Sequence, residues 1–130
     1  SKDTELVAIV VILNEEDQAL LLFRNPEDTE QWMPAKWALP GGHVHENEYT
    51  EDAAIREVYE ETALVAWGLQ KLKQQERATF YTTRKFKGEI VLDTEENTEY
   101  AWVGLGEVDN YDTVPGLKKT IRQALTKLSE

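Results

Sequence analysis

The stretch that decides the fold is "GGHVHENEYTEDAAIREVYEETAL", residues 41–64, which begins with two glycines and carries seven acidic side chains. Its second half predicts a helix from about Thr50, as the N-cap, to about Thr62. At roughly 100° per residue, Glu57, Glu60 and Glu61 fall on one stripe of this helix, next to an apolar stripe that faces the core. The fold must therefore bury one side of a helix while it leaves three carboxylates together.

The acidic stripe costs stability unless a cation binds to it. Glu57 and Glu61 form a like-charge pair four residues apart, and the helix contains no lysine that could compensate them. Carboxylate oxygens are ligands that suit a hard divalent ion such as magnesium or manganese. A backbone carbonyl from the Gly41–Gly42 bend can add a further oxygen, because glycine allows close approach of the main chain. Such acidic sites hold magnesium in order to bind phosphates.

The segments around this helix predict a mixed sheet. "ELVAIVVIL" (5–13) and "QALLLFR" (18–24) predict strands that pair as a hairpin or meander. Further strands are predicted in "WALP" (37–40), in residues 66–93 including "ATFYTT" and "EIVLD", and in "YAWVGL" (100–105), and an amphipathic helix in "VPGLKKTIRQALTKL" (114–128), where Leu117, Ile121, Leu125 and Leu128 recur at helical spacing. This order predicts one α/β domain, residues 1–130, with helices on two faces of the sheet.

Composition excludes several classes of function. The chain has 130 residues, a net charge of −11 and no cysteine. Disulfides, thiolate metal sites and cysteine nucleophiles are therefore excluded, and we expect a reducing, cytoplasmic location. The negative charge argues against binding to a nucleic-acid polymer, which requires clustered lysine and arginine. No apolar run is long enough to cross a bilayer and no charged-then-apolar leader opens the chain, so no membrane partner is expected.

The spacing of the charged residues resembles a known family motif. Gly42, five residues, Glu48, seven residues and then "REVYEETAL" (56–64) closely resemble the Nudix box, G-x5-E-x7-R-E-U-x-E-E-x-G-U. One position departs, since Ala63 stands where the family has glycine. That glycine ends the helix in a left-handed conformation, in which alanine costs on the order of 1 kcal/mol. The flanking "LLLFR", "KWALPGG" and "EYAWVGLGEV" also look like the family, so the resemblance spans most of the chain.

The resemblance implies an α/β/α sandwich, with a mixed sheet between helices, that hydrolyses the pyrophosphate bond of a small nucleotide with Mg²⁺ or Mn²⁺. Three substrate groups stay open: nucleoside triphosphates, dinucleoside polyphosphates and nucleoside diphosphate sugars such as ADP-ribose. Carried over residue by residue, the implied metal ligands are Glu57, Glu60, Glu61 and the Gly41 carbonyl. Both a monomer and a homodimer remain open.

The same resemblance suggests catalytic roles. Glu57 would act as general base or position the attacking water, Arg56 would orient a catalytic glutamate, and Glu48 would assist the metal site or anchor the loop. Some family members take their base from a downstream acidic loop. There we favour Glu99, before "YAW", over Glu96 and Glu95, with an exposed turn as the alternative for each.

Three residues are candidates for substrate contact. Arg24 at the end of the second strand would reach a phosphate or form a surface ion pair. Trp32 in its proline-bounded loop is a candidate for stacking on a nucleobase. Tyr81, seventeen residues after Leu64, stands where the family's dinucleoside polyphosphate hydrolases often carry tyrosine. The other aromatic candidates, Trp37, Phe80 and above all Trp102, fit the core better than base stacking, and His43 and His45 fit the surface better than a zinc site.

Two rival functions remain at this point. A non-catalytic Nudix-fold sensor would bind a nucleotide without cleaving it, but such modules usually have degenerate boxes, whereas every charged box position is present here. An acidic calcium-binding scaffold is the second rival, although the chain lacks the D-x-D-x-D-G loop of an EF-hand.

Overall fold

A computed structural model describes residues 5–130 of the chain. Its elements are, in order, β1 (Val7–Ile12), β2 (Gln18–Arg24), β3 (Trp37–Ala38), β4 (Gly41–His43), α1 (Thr50–Thr62), β5 (Val65–Ala66), β6 (Gln70–Gln75), β7 (Ala78–Thr83), β8 (Phe86–Lys87), β9 (Asn97–Gly104), a 3-10 helix (Leu105–Asn110) and α2 (Leu117–Leu128). In this part of the chain no helix is both long and apolar enough to span a bilayer.

The strands form a mixed β-structure between two helices. A four-stranded sheet has the order β4-β1-β7-β6, in which β1 and β7 are parallel and the other pairs are antiparallel. A three-stranded antiparallel sheet has the order β3-β2-β9, and β5 pairs with β8. The predicted α/β class with a mixed sheet is confirmed.

Alternating side chains of β1 build two cores. Val10 and Ile12 lie in the cluster that includes Val58 of α1, whereas Val11 lies in the cluster that includes Ile121 of α2. Successive side chains of a strand point to opposite faces, so the two helices cover opposite faces of the sheet. The apolar run that predicts this strand is continuous because both faces are buried.

The predicted pairing of the first two strands is wrong. The turn between β1 and β2 holds an isolated antiparallel bridge between Leu13 and Ala19 and a bond from Asn14 N–H to Gln18 O at 3.0 Å, but the two strands belong to different sheets. Both edges of β1 are already occupied, one by β4 and the other by β7. β2 therefore pairs with β3 and β9 instead.

The predicted strand in "EIVLD" (89–93) is also wrong, because this segment is irregular. It runs along the end of α1, where Val91 N–H donates to Thr62 O at 2.9 Å and Asp93 N–H donates to Glu61 O at 3.3 Å. These bonds satisfy carbonyls that the end of a helix leaves without partners. Its Ile90 packs against the core under α1, so its apolar side chains serve packing without strand pairing.

The bounds predicted for α1 are confirmed, but its cap is not. The N-cap is Tyr49, which makes no side-chain capping bond. Thr50 instead hydrogen-bonds through its hydroxyl to the phenol of Tyr81. At the other end Ala63 is left-handed, with φ 65° and ψ 6°, and its N–H donates to Tyr59 O at 2.8 Å. Ala63 thus adopts the left-handed conformation that is expected of the family's glycine at this position.

Candidate active site

Two glycines allow β4 to lie directly against the acidic stripe of α1. Gly41 N–H donates to Glu61 Oε1 at 2.9 Å. A Cβ at Gly41 would clash with the backbone of Ala8 and Ile9, and a Cβ at Gly42 would clash with the carboxyl of Glu57. The glycines therefore set where the Glu57 and Glu61 carboxyls lie.

Arg56 is the centre of the hydrogen-bond network beside these carboxyls. Its Nε and one terminal nitrogen donate to the two oxygens of Glu48 at 2.9 and 3.0 Å, and Nη2 also donates to His43 O at 2.8 Å. Its Nη1 donates to Glu57 at 3.2 Å and to Glu60 at 3.1 Å. The bidentate bond with Glu48 raises the pKa of Arg56.

Glu48 anchors this arginine to the loop before α1. Its Oε1 also accepts a hydrogen bond from His45 N–H at 2.9 Å. The bonds from Arg56, followed by that of the His45 N–H, lower the pKa of Glu48 to about 2. Glu48 therefore stays ionised and holds Arg56 in one orientation towards Glu57 and Glu60.

Three carboxyls, Glu57, Glu61 and Glu96, have pKa values shifted in the opposite direction to that of Glu48. Burial raises the pKa of Glu57, and raises that of Glu61, which is 7% exposed, well above its usual range. Partial burial likewise raises the pKa of Glu96 on its otherwise exposed loop, and the charge of Glu57 raises it further. Glu57 and Glu96 both raise the pKa of Glu61. These carboxyls share one electrostatic environment in which negative charge is under-compensated.

The donor chemistry of this cluster fits a hard divalent cation, but the side chains are not arranged around one point. Among residues 5–130 no three His, Asp or Glu side chains converge as an ion-holding group. Arg56 engages Glu57 and Glu60, and Glu61 bonds to Gly41 N–H. The Glu60 side chain is 51% exposed, so it is free to rotate away from Arg56. Gly41 lies opposite Ile9 of β1, but its N–H bonds to Glu61 and not to that strand. In an antiparallel pair the N–H and C=O of one residue point to the same side, so the Gly41 carbonyl also lies at the outer edge of β4.

Glu96, and not Glu99, lies with these carboxyls. Glu99 is exposed and faces Phe23 across the β2–β9 pair, and Phe23 packs on Trp37. The preceding residue of β2, Leu22, belongs to the core under α1. Since neighbouring residues of a strand point to opposite faces, Glu99 points to the face away from α1. Glu95 lies in the same loop as Glu96. After burial, the charges of Glu57, Asp93 and Glu60 raise the pKa of Glu96, which shows that Glu96 lies close to the carboxyls of α1.

The structure brings Arg24 and Trp32 together. The guanidinium of Arg24 lies over the Trp32 ring, 5.7 Å from its centroid, and the Trp32 residue is 63% exposed. Burial lowers the pKa of Arg24, opposed by the charges of Glu61 and Glu96. Within the described part of the chain, Arg24 Nε is buried and has no hydrogen-bond partner. Arg24 is therefore not the surface ion pair that the sequence left open.

The remaining aromatic candidates pack within the fold or on its surface, and the two histidines contact the network through their backbone. Tyr81 is 6% exposed and its hydroxyl bonds to Thr50 at the start of α1. Trp37 packs edge-on against Tyr111, and Trp102 stacks on Phe86 at 5.5 Å. Phe80 lies under the amino group of Lys73, and His43 and His45 are exposed, as expected for surface residues.

Known proteins resemble this chain both in sequence and in fold. The NUDIX domain family model matches residues 3–124. The chain belongs to the Nudix family. A Bacillus subtilis (strain 168) protein named "Putative 8-oxo-dGTP diphosphatase" is 32% identical over 120 residues, which cover 88% of this chain and 75% of that protein. The Nudix chain is a hydrolase of the pyrophosphatase type that acts on nucleotide substrates.

Solved Nudix structures share the fold. A solved structure of MutT, described for the proteins of Aliivibrio salmonicida and Vibrio cholerae, superposes with a TM-score of 0.78 and 20% identity, over 95% of this chain and 98% of that one. The NUDIX domain of Shewanella oneidensis NrtR, complexed with ADP ribose, superposes with a TM-score of 0.70 and 22% identity, over 95% and 87%. The predicted Nudix fold is thus confirmed.

Two residues beside the acidic helix, Glu96 and Gln31, do not stand out from sequence spacing alone. Sequence spacing favours Glu99 over Glu96, because distance along the chain does not show which face of β9 a residue occupies. Gln31 matches no motif in the sequence, although its side chain bonds to Arg24, to Asp28 and to the backbone of Glu96. The available signal was its position between Arg24 and Trp32 in a loop that also contains a candidate stacking residue.

Proposed function

We propose that this Nudix hydrolase cleaves a pyrophosphate bond of a nucleoside triphosphate, with Mg²⁺ or Mn²⁺ as the cofactor. The observation that carries the proposal is the group of desolvated carboxyls, Glu57, Glu61 and Glu96, whose pKa values are all raised. The 8-oxo-dGTP diphosphatase name of the Bacillus subtilis relative supports a triphosphate, and an oxidised purine is the first one to test. Dinucleoside polyphosphates and nucleoside diphosphate sugars are the competing substrates.

Glu57, Glu60, Glu61 and the Gly41 carbonyl would hold the cation. Their oxygens match the ligands that magnesium and manganese prefer, and desolvated, mutually repelling carboxylates gain most from a positive charge. When bound, the cation neutralises charge that develops on the phosphate oxygens.

The side chains of this protein position the water and take its proton. The oxygen of water forms a bond to phosphorus, the bridging P–O bond breaks, and the leaving phosphate group takes the electron pair. Glu57 or Glu96 accepts the proton, because a raised pKa makes each a better base than an exposed glutamate. Arg56, fixed by Glu48, holds the Glu57 carboxyl in place.

Arg24 and Trp32 would bind the rest of the nucleotide. The buried Nε of Arg24 is a donor without a partner among the described residues, which a phosphate oxygen would satisfy. The exposed part of the Trp32 ring offers a surface on which a base can stack, while Arg24 lies over the ring. We assign Tyr81 to the packing of α1 and not to the substrate, since its hydroxyl is already bonded.

The test is a turnover assay on a nucleotide panel that includes 8-oxo-dGTP, the unmodified triphosphates, a dinucleoside tetraphosphate and ADP-ribose. Reactions contain Mg²⁺, Mn²⁺ or EDTA, and mass spectrometry in ¹⁸O-labelled water identifies the products and the phosphorus that is attacked. We expect a monophosphate and pyrophosphate from a triphosphate, and none in EDTA. Tight binding of a nucleotide without any product would overturn the proposal in favour of a sensor. Fastest turnover of ADP-ribose or the dinucleotide would replace the substrate class.

A further inference from the structure

We infer that Gln31 is a positioning residue that couples the nucleobase end of the site, Arg24 and Trp32, to the acidic loop that carries Glu96. The inference rests on the proposed function, because it assigns a role within that same site. It concerns a residue that neither touches the reacting atoms nor belongs to the charged motif.

Both ends of the Gln31 amide are used. Its Oε1 accepts a hydrogen bond from Arg24 Nη1 at 3.1 Å. Its Nε2 donates to the Glu96 carbonyl at 2.9 Å and to Asp28 Oδ2 at 3.1 Å. An amide is the side chain that can accept from a guanidinium and donate to a carbonyl at once, so a leucine, methionine or glutamate cannot replace all three bonds.

The acidic loop is held to the same segment at a second point. Asn25 N–H donates to the Glu96 carbonyl at 2.9 Å, and Asn25 Nδ2 donates to the Glu95 carbonyl at 3.0 Å. The Glu96 carbonyl therefore accepts two bonds from the segment that follows β2. This segment and the loop before β9 are thereby linked, although about 65 residues separate Gln31 from Glu96 in the chain.

Among the described residues, Gln31 is the side chain of this link that also bonds to Arg24, the arginine proposed to contact the substrate. Arg24 makes no bond through its buried Nε to any residue from 5 to 130, and its guanidinium lies over the Trp32 ring. The bond from Nη1 to Gln31 is therefore a main constraint on where the guanidinium lies. A displacement of Gln31 moves Arg24 at one end and the backbone of Glu96 at the other, and displacements of this kind change rates because catalytic groups need accurate placement.

The experiment is a double-mutant cycle in turnover. Gln31→Met removes the amide at similar length, and Glu96→Gln removes the carboxylate on which Gln31 is inferred to act. We expect Gln31→Met to lower kcat roughly tenfold and to raise KM several-fold. In the Glu96→Gln background we expect the effect on kcat to disappear while the effect on KM, which acts through Arg24, persists.

Gln74→Met is the matched control, since Gln74 is exposed in β6 and makes no side-chain bond in the described chain. It should leave kcat and KM unchanged. An equal fall of kcat in both backgrounds would overturn the inference, because it would mean general loosening of the fold, as would a Gln31→Met enzyme with wild-type constants or a Glu96→Gln enzyme with full kcat. A wild-type protein that turns over no nucleotide would instead contradict the proposed function.

Discussion

Burial and a neighbouring positive charge act in opposite directions on the pKa of Glu57. Burial raises its pKa, and the guanidinium of Arg56 opposes that shift. We expect Glu57→Gln to lower kcat at least about a hundredfold, because the amide can neither take a proton nor bind a cation as a carboxylate does. The unfolding temperature of the metal-free protein should not fall, since a neutral side chain is favoured where ionisation is penalised.

Glu51→Gln is the control for this substitution. Glu51 lies in the first turn of the same helix and is exposed. It should keep the wild-type rate, and steady-state kinetics of both variants check the pair. A Glu57→Gln enzyme with near wild-type turnover would show that the base and the metal ligand lie elsewhere.

Ala63 carries a strain that a single substitution can remove. Its left-handed φ of 65° is disfavoured for a residue with a Cβ. Ala63→Gly should therefore raise the free energy of unfolding by about 1 kcal/mol, or the unfolding temperature by roughly 3–5 °C. Ala54→Gly, inside the same helix, should act in the opposite direction. Chemical denaturation measures both, and a less stable Ala63→Gly protein would mean that the alanine methyl contributes more by packing than it costs.

At the scale of residues, the sequence predicts what depends on spacing within one element. The shared stripe of Glu57, Glu60 and Glu61 follows from helical geometry alone. The choice between Glu96 and Glu99 does not, because it depends on the register of β9 against β2 and on the irregularity of that pair at Phe23 and Arg24. The same holds for Gln31, whose partner lies in a distant loop.

At the scale of elements, the close approach of β4 to α1 can be tested through its second glycine. A Cβ at Gly42 would meet the Glu57 carboxyl, which is the movable end of a side chain, so we expect Gly42→Ala to fold but to lose at least about tenfold in kcat as Glu57 shifts. Gly106→Ala is the control, since among the described residues no atom beyond its chain neighbours and its own helix backbone lies within 4 Å of the added Cβ. Comparison of kcat and thermal unfolding for the two variants checks this. Unchanged kcat in Gly42→Ala would show that the carboxyl tolerates displacement.

Strand formation was easier to predict than strand pairing. The β-branched run of β1 and the alternation in β7 each indicate a strand from local sequence. The parallel pairing of β1 with β7 does not follow from the sequence of either segment. Closeness along the chain suggests β2 as the partner of β1, but β2 belongs to the other sheet. The apolar residues of "EIVLD" predict a strand for a related reason. Ile90 and Leu92 pack against the core, but the backbone of this segment bonds to the end of α1 and not to a strand.

At the scale of the whole molecule, the raised and lowered pKa values predict how stability depends on pH. Glu57, Glu61 and Glu96 have folded pKa values above 4.5, so the stability they contribute is complete below pH 4.5 and is lost as pH rises through their folded values. Glu48 has the opposite sign, because its folded pKa is about 2. Its contribution is present above pH 4.5 and is lost as pH falls towards 2.

In EDTA the unfolding temperature should therefore rise as pH is lowered from 8 to about 5, and fall again in stronger acid. Thermal unfolding followed by circular dichroism at low protein concentration measures the profile, since the sequence pI is about 4.6. Glu61→Gln is the informative variant, because its amide oxygen can still accept from Gly41 N–H but cannot ionise. It should flatten the rise, and a profile as steep as that of the wild type would mean that other carboxyls dominate.

The parallel pairing of β1 with β7 also sets an order for biosynthesis. Val7 lies opposite Ala78 and Ile12 opposite Thr83. The parallel partner of β1 is therefore synthesised about 70 residues later than β1 itself. During translation, α1 emerges before the platform beneath it is complete, with Val58 and Ile55 still lacking part of their packing. Closing so large a loop is slow, and the nascent chain exposes apolar β1 in the meantime. We expect chaperones to bind the nascent chain chiefly between the emergence of residue 12 and the emergence of residue 83 from the ribosome.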